Sequence, residues 1–208
     1  MRLWISILSL LALGCTAATA ADLSLHVVNQ KGVGMADAVV TFQPASDAAQ
    51  SNSAAAPLIV NQTNNTFTPY MTVVPRGSQV QFRNDDSVLH HVFSFSAAKR
   101  FSLKLFGQSE PQTLQFDTAG IVVVGCNIHD DMIAYLNIVD TPYAAQTGPD
   151  GRVTLTGLPE TPGELRVWHP LMKGRGNTYS QSIDPAAIAR VVRIERKFRR
   201  GARPVGDY

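Results

Sequence analysis

The sequence predicts an all-β protein, and three observations carry that prediction. Apolar and polar residues alternate over short runs, as in Leu23-Ser24-Leu25-His26-Val27, where a helix would space them at three and four. Turn signals such as Pro75-Arg76-Gly77 and Gly148-Pro149-Asp150-Gly151 interrupt those runs. The continuous β-branched run Ile121-Val122-Val123-Val124 has the texture of a buried strand.

Residues 1–20 read as a secretory signal. Arg2 supplies a positive start. Leu3 to Leu13 is apolar apart from two serines and too short to span a bilayer. Ala18-Thr19-Ala20 offers a small-residue cleavage site. Cys15 suggests a rival reading as a lipidated cysteine, which the preceding Ala12-Leu13-Gly14 fits poorly. Residues 21–44 follow as an N-terminal strand pair: Leu23 to Asn29, a glycine-bearing turn from Gln30 to Gly34, then Ala38 to Phe42. Residues 45–66 are expected to be a loop, because the Ala/Ser/Asn/Gln-rich stretch from Ala45 to Pro57 shows no periodicity.

Residues 67–141 carry the tightest strand signals and are expected to be the core. Tyr70 to Val74 leads into the Pro75-Arg76-Gly77 turn. Gln79 to Arg83 alternates, with Val80 and Phe82 on one face. His90 to Phe95 is another strand, and Leu114 to Phe116 runs into a turn from Asp117 to Gly120. Ile121 to Val124 and the return strand Ile133 to Val139 bracket a seven-residue loop, Cys126 to Met132. Cys126, His129 and Met132 would share a helix face, but the flanking Val/Ile runs and Gly125 oppose a helix there.

Residues 142–208 are expected to form a small C-terminal β-unit and a basic tail. Arg152 to Leu155 and Glu164 to Trp168 read as its strands, with the N-terminal strands as a candidate partner. The segment after Asp184 reads two ways. Asp184-Pro185 suits a helix start, whereas Val192-Arg193-Ile194-Glu195 alternates like a strand.

Charge excludes some functions. With 18 basic and 16 acidic side chains, the chain has no overall field of the kind that marks a nucleic-acid binder. No further apolar run is long enough for a membrane span. Nothing resembles a catalytic nucleophile, a phosphate loop or an acid–base pair, so an enzyme is not expected.

Cysteine usage points elsewhere. Loss of residues 1–20 removes Cys15 and leaves Cys126 as the only cysteine. A lone cysteine in an exported protein is a free thiol, an intermolecular link or a metal ligand. Cys126-Asn127-Ile128-His129-Asp130-Asp131-Met132 sets a thiolate, an imidazole and a thioether three residues apart. Further imidazoles lie upstream in Asn84-Asp85-Asp86-Ser87-Val88-Leu89-His90-His91-Val92. Two His, one Cys and a weak axial Met form the ligand set of a mononuclear blue-copper centre. The thiolate favours Cu(I), neutral imidazoles serve both oxidation states, and a thioether suits only a long axial bond.

With these residues in view, the chain resembles the cupredoxins, of the plastocyanin and amicyanin type. Phe67-Thr68-Pro69, Arg76-Gly77, Phe82-x-Asn84 and His90-x-Val92 match the first-ligand region, and Cys126, His129 and Met132 match the ligand loop. A longer likeness is to bacterial envelope proteins labelled methylamine-utilisation proteins. It runs through His90 to Phe101, Gly125 to Asp130, Asp140-Thr141-Pro142-Tyr143 and Trp168-His169-Pro170. The resemblance implies a Greek-key β-sandwich with an added β-unit. It also implies one copper per chain on His90, Cys126, His129 and Met132, and single-electron transfer in the periplasm with a redox protein partner.

One departure stands out. Where such proteins usually carry Asn after the first ligand, this chain has His91. Adjacent strand residues face opposite ways, so only one of His90 and His91 reaches the site, and the resemblance assigns His90. His91 is then a brace or a solvent-facing side chain.

Plainer readings stand beside these. Cys126 also suits an inert buried thiol, Met132 plain core, and Asp130 and Asp131 a solvated loop or oxygen ligands for zinc. His26 reads as structural or exposed, and His169 as a packing residue or a second metal site. The cluster Arg190, Arg193, Arg196, Lys197, Arg199, Arg200 and Arg203 suits a solvated end, an acidic partner or an anionic lipid surface. Two other functions remain in view: copper carriage or storage without electron transfer, and a β-domain that binds protein or glycan around a structural copper.

Overall fold

The computed structural model describes residues 20–45, 53–108, 110–185 and 191–197. The expected signal up to residue 19, with Cys15, and the basic residues Arg190, Arg199, Arg200 and Arg203 lie outside them, whereas Ala20, the last residue of that signal, falls in the first strand. Along the chain the strands are β1 (Ala20–Asn29), β2 (Val39–Pro44), β3 (Leu58–Thr63), β4 (Thr66–Thr68), β5 (Met71–Pro75), β6 (Ser78–Phe82), β7 (Val92–Ser96) and β8 (Lys99–Ser102). They continue as β9 (Gln112–Phe116), β10 (Gly120–Cys126), β11 (His129–Val139), β12 (Ala144–Gln146), β13 (Arg152–Pro159), β14 (Gly163–Trp168), β15 (Thr178–Ile183) and β16 (Val191–Arg196). A single 3-10 turn, Arg175–Asn177, is the one helical element among the described residues.

These strands build two β-sandwiches. In the first, the sheet β5-β11-β10-β7-β8 faces the sheet β4-β3-β6-β9. Strand alternation supplies its core. Val122, Val124 and Cys126 of β10 point inward, as do Met132, Ala134 and Leu136 of β11. Val60, Phe67, Val80, Phe82 and Phe116 fill the space from the opposite sheet. This is the larger sandwich.

The second sandwich joins the two ends of the chain. The sheet β13-β1-β16 faces β12-β2-β14-β15 around Leu23, Leu25, Phe42, Leu158, Leu165 and Val167. The expected N-terminal strand pair is therefore corrected. β1 lies between β13 and β16, and β2 between β12 and β14. Each strand has one strongly apolar face, and the two bury those faces against each other from opposite sheets rather than hydrogen-bonding side by side. The C-terminal strands do find their partners at the N terminus.

The expected loop over residues 45–66 is also corrected, since β3 and the start of β4 fall inside it. Val60 and Gln62 are fully buried there, and β3 runs parallel to β6. Its Asn and Gln content hides a short alternating strand. Asn64 and Asn65 close the β3–β4 hairpin at φ of 53° and 54°, the left-handed conformation a two-residue hairpin turn needs. The ambiguous C-terminal segment resolves as strand at β16, parallel to β1. The expected basic tail thus begins as a structural element: Arg193 reaches Glu195 at 4.0 Å, and the Arg196 guanidinium lies 3.5 Å from the centre of the Tyr179 ring. Polar β15 and the short β8 and β12 carry too little hydrophobic pattern to stand out in the sequence.

Two contacts fix how the pieces pack. Met71 of β5 meets Val39 of β2 and Trp168 of β14, with Tyr135 of β11 beside them at 5.5 Å between ring centroids. Within the second sandwich, Gly151 turns at φ 76°, and a Cβ there would collide with the carbonyl of Val27. A side chain at Gly34 would strike the carbonyl of Asp150 in the same way.

Candidate metal centre

The site lies at one end of the larger sandwich, where β10 turns into β11. The expected seven-residue loop is corrected to a tight hairpin. β10 runs through Cys126 and β11 starts at His129, leaving Asn127-Ile128 as the turn. Cys126 and His129 pair across it, after a register shift between Gly125 and Cys126. The shift ends the regular ladder and brings the third residue after Cys126 back beside it.

His90 arrives from the other side. It precedes β7 and forms an isolated bridge with Phe106. Its parity with the inward-facing Val92 and Ser94 turns the ring into the sandwich, where it is completely buried. Cys126 Sγ stands 3.7 Å from His90 Nδ1 and 3.7 Å from His129 Nδ1. The three donor atoms all lie within 4.8 Å of one another. The two imidazole rings are 5.1 Å apart between centroids. Cys126 is a buried free thiol, and His129 is half-buried at the rim.

Met132 lies on the inner face of β11, almost wholly buried and in the same core cluster as Cys126. Asp130 and Asp131 are exposed beside it, which suits solvated carboxylates. His91 faces away from the cluster. Its Nε2 is 2.7 Å from Ser102 Oγ, while its main-chain carbonyl accepts the N–H of Asn127 at 3.1 Å. The main chain of His91 therefore braces the Cys126 hairpin, whatever its side chain does.

The sequence alone does not single out Asp86, whose only signal is a carboxylate four residues before a histidine. Its Oδ2 lies 2.8 Å from His90 Nε2. The N–H of Asn64 donates to Oδ1 at 2.6 Å, and that of Asn65 to Oδ2 at 3.0 Å. Burial pushes the Asp86 carboxyl upward, but the His90 bond and the two backbone N–H groups together hold it below the ordinary carboxylate range. Asn84 fixes the segment that carries both residues. Its amide donates to the carbonyls of Val88 and Phe106, and its oxygen accepts the N–H of Asp86.

The donor set fits a copper ion. Donors sharing one ion through bonds of about 2.3 Å to sulfur and about 2.0 Å to nitrogen, the lengths known for zinc in such sites, stand roughly 3.5–3.7 Å apart at tetrahedral to trigonal angles. The two 3.7 Å separations match that spacing. A thiolate with two imidazoles and a nearby thioether is softer than the oxygen-rich sets that suit magnesium or calcium.

His169 belongs to the other sandwich. It is buried, and its Nδ1 accepts the N–H of Leu171 at 3.1 Å. Burial lowers its pKa to about 4, against weaker upward pulls from Asp37 and the backbone of Ala36. His26 is half-buried with Nε2 3.1 Å from the Asp150 carbonyl, which suits the structural reading.

No protein-family model matches the chain, and no curated protein matches it. Among solved structures it is similar to a copper-containing nitrite reductase from Thermus scotoductus SA-01, at 21% identity and a TM-score of 0.38. That match spans 55% of this chain and 28% of the reductase. A purple cupredoxin from Nitrosopumilus maritimus matches at 18% identity and a TM-score of 0.35, over 39% of this chain and 99% of that one. A reduced amicyanin variant matches at 17% identity and a TM-score of 0.38, over 48% of this chain and 98% of amicyanin. Likenesses at this level transfer no function, and the chemistry rests on the side chains themselves.

Proposed function

We propose that this chain is a single-copper electron carrier of the bacterial periplasm, with His90, Cys126, His129 and Met132 holding the ion. One observation carries the reading: a buried thiol with two imidazole Nδ1 atoms each 3.7 Å away. Bound copper would supply a one-electron couple between Cu(I) and Cu(II). The protein's part is to hold the donors still. Cys126 and His129 are fixed by a tight hairpin, and His90 by burial and by Asp86, so neither oxidation state demands much rearrangement.

Access is one-sided. His90 is sealed inside, whereas His129 reaches the surface beside Ile128. Ile128, Val88, Leu89 and Leu105, neighbours in sequence of the site and of its His90–Phe106 bridge, are each about half exposed. Such an apolar rim suits brief contact with a redox partner protein, with the electron passing through His129. The apparent signal at residues 1–20 supports export, and among the described residues no helix is long and apolar enough to cross a membrane. Arg193 and Lys197 are exposed and suit an acidic partner.

Voltammetry of the copper-loaded protein tests this reading. A reversible one-electron wave with fast self-exchange is expected. Tight copper binding with no reversible wave would favour a copper carrier or store instead. Retained binding of a protein or glycan after copper removal would favour the structural-copper reading.

A further inference from the structure

The hairpin that joins β3 to β4 lies on the opposite sheet from Cys126, yet it reaches the centre through a single carboxylate. Asp86 bridges the two: it takes the backbone N–H groups of Asn64 and Asn65 at the hairpin tip, and its Oδ2 lies 2.8 Å from His90 Nε2. An ionised carboxylate only accepts, so His90 Nε2 carries the proton. His90 Nδ1 faces Cys126 Sγ at 3.7 Å, and in a neutral ring protonated at Nε2 that nitrogen is the one with the lone pair a metal takes.

We propose that Asp86 is the residue that positions His90 and lowers the reduction potential of the centre, with the β3–β4 hairpin tip holding it in place. The proposal rests on the copper reading above. Two physical effects act in one direction. A fixed acceptor on Nε2–H sets the tautomer and makes the imidazole a stronger donor. A negative charge one hydrogen bond from a ligand favours Cu(II) over Cu(I). Asp86 and His90 are little exposed and completely buried respectively, so solvent screens their interaction weakly.

The geometry also shows why the device holds. The turn at Asn64-Asn65 has both residues at positive φ, which aims their successive N–H groups at one carboxylate. Asn84 locks the backbone of Asp86 from the other side. A carboxylate placed only to close the hairpin turn would need neither His90 nor burial.

Asp86→Asn keeps the shape and an acceptor oxygen but removes the charge, whereas Asp86→Ala removes both. In copper-loaded full-length protein, both substitutions should raise the reduction potential, Ala more than Asn. Asp86→Ala should also weaken Cu(II) binding about 10- to 100-fold. Nitrogen-15 NMR of the metal-free protein gives a readout that needs no copper. His90 should be the Nε2–H tautomer in the unsubstituted chain and a mixture in Asp86→Ala. Variants that bind copper with unchanged potential and affinity and an unchanged His90 tautomer would overturn the proposal and leave the copper reading standing. Failure of the unsubstituted chain to take up copper would overturn the copper reading and with it the claim on the potential, while the tautomer comparison would still decide the positioning role.

Discussion

Cys126 and His129 are cross-strand partners: their Cα atoms pair over the two-residue turn Asn127-Ile128, and Sγ stands 3.7 Å from Nδ1. The short spacing between these two donors is thus a property of a hairpin rather than of a loop. A strand shifted by one residue presents every side chain to the opposite face. One glycine inserted between Asn127 and Ile128 should turn His129 away and abolish stoichiometric copper binding. The thermal midpoint of the metal-free protein should fall only slightly. Copper analysis beside a melting curve checks both halves, and full copper occupancy in the insertion variant would contradict the hairpin account.

His90→Ala should lose most of the copper affinity and change the shape of the visible spectrum. His91→Ala should leave both nearly intact, because the brace from Asn127 goes to the His91 main chain and the side chain points to Ser102. Copper titration of the two variants decides this. A destructive His91→Ala with a mild His90→Ala would mean that the strand register is reversed, with His91 facing the metal.

Met132→Leu should keep the visible colour and raise the reduction potential. The side chain is buried in the cluster that contains Cys126, and leucine fills nearly the same volume. If Met132 lends copper its thioether, its replacement would leave a more apolar site that disfavours Cu(II). Voltammetry settles the point, and an unchanged or lower potential would make Met132 a core residue only.

The second sandwich should carry its own pH dependence through His169. Its pKa is about 4 in the folded chain against the ordinary histidine value of 6.5. A depressed histidine pKa means that the unfolded chain takes the proton first. Its stabilising contribution is therefore complete above pH 6.5 and is lost as pH falls from 6.5 towards 4, by up to about 3 kcal/mol. Denaturant unfolding of metal-free protein at several pH values should show a shallower loss in His169→Gln than in the unsubstituted chain. Parallel curves for the two would contradict this.

Much of the site was legible because its signal is local. Cys126, His129 and Met132 lie within one short stretch, and strand alternation alone requires that His90 and His91 diverge. Asp86 was not legible, because its meaning comes from a hairpin on the other sheet, more than twenty residues upstream. The fold divides in the same way. The β-branched run from Ile121 to Val124 announces a buried strand by itself. β3 hides behind Asn61 and Gln62, and its burial depends on pairing with β6. β1 and β2 read correctly as strands, but their neighbours β13, β14 and β16 come from the far end of the chain, and local pattern cannot supply such pairings.

The central claim is that Cys126 is the thiolate of a mononuclear copper centre. Visible absorption and copper content, measured together on the purified protein and on Cys126→Ser, test it most directly. The unsubstituted chain should hold about one copper per chain and show an intense thiolate-to-copper band that bleaches on reduction. Cys126→Ser should lack that band, because a hydroxyl cannot replace the thiolate. A Cys126→Ser protein that keeps the intense band, or an unsubstituted chain that loads copper without it, would contradict the account.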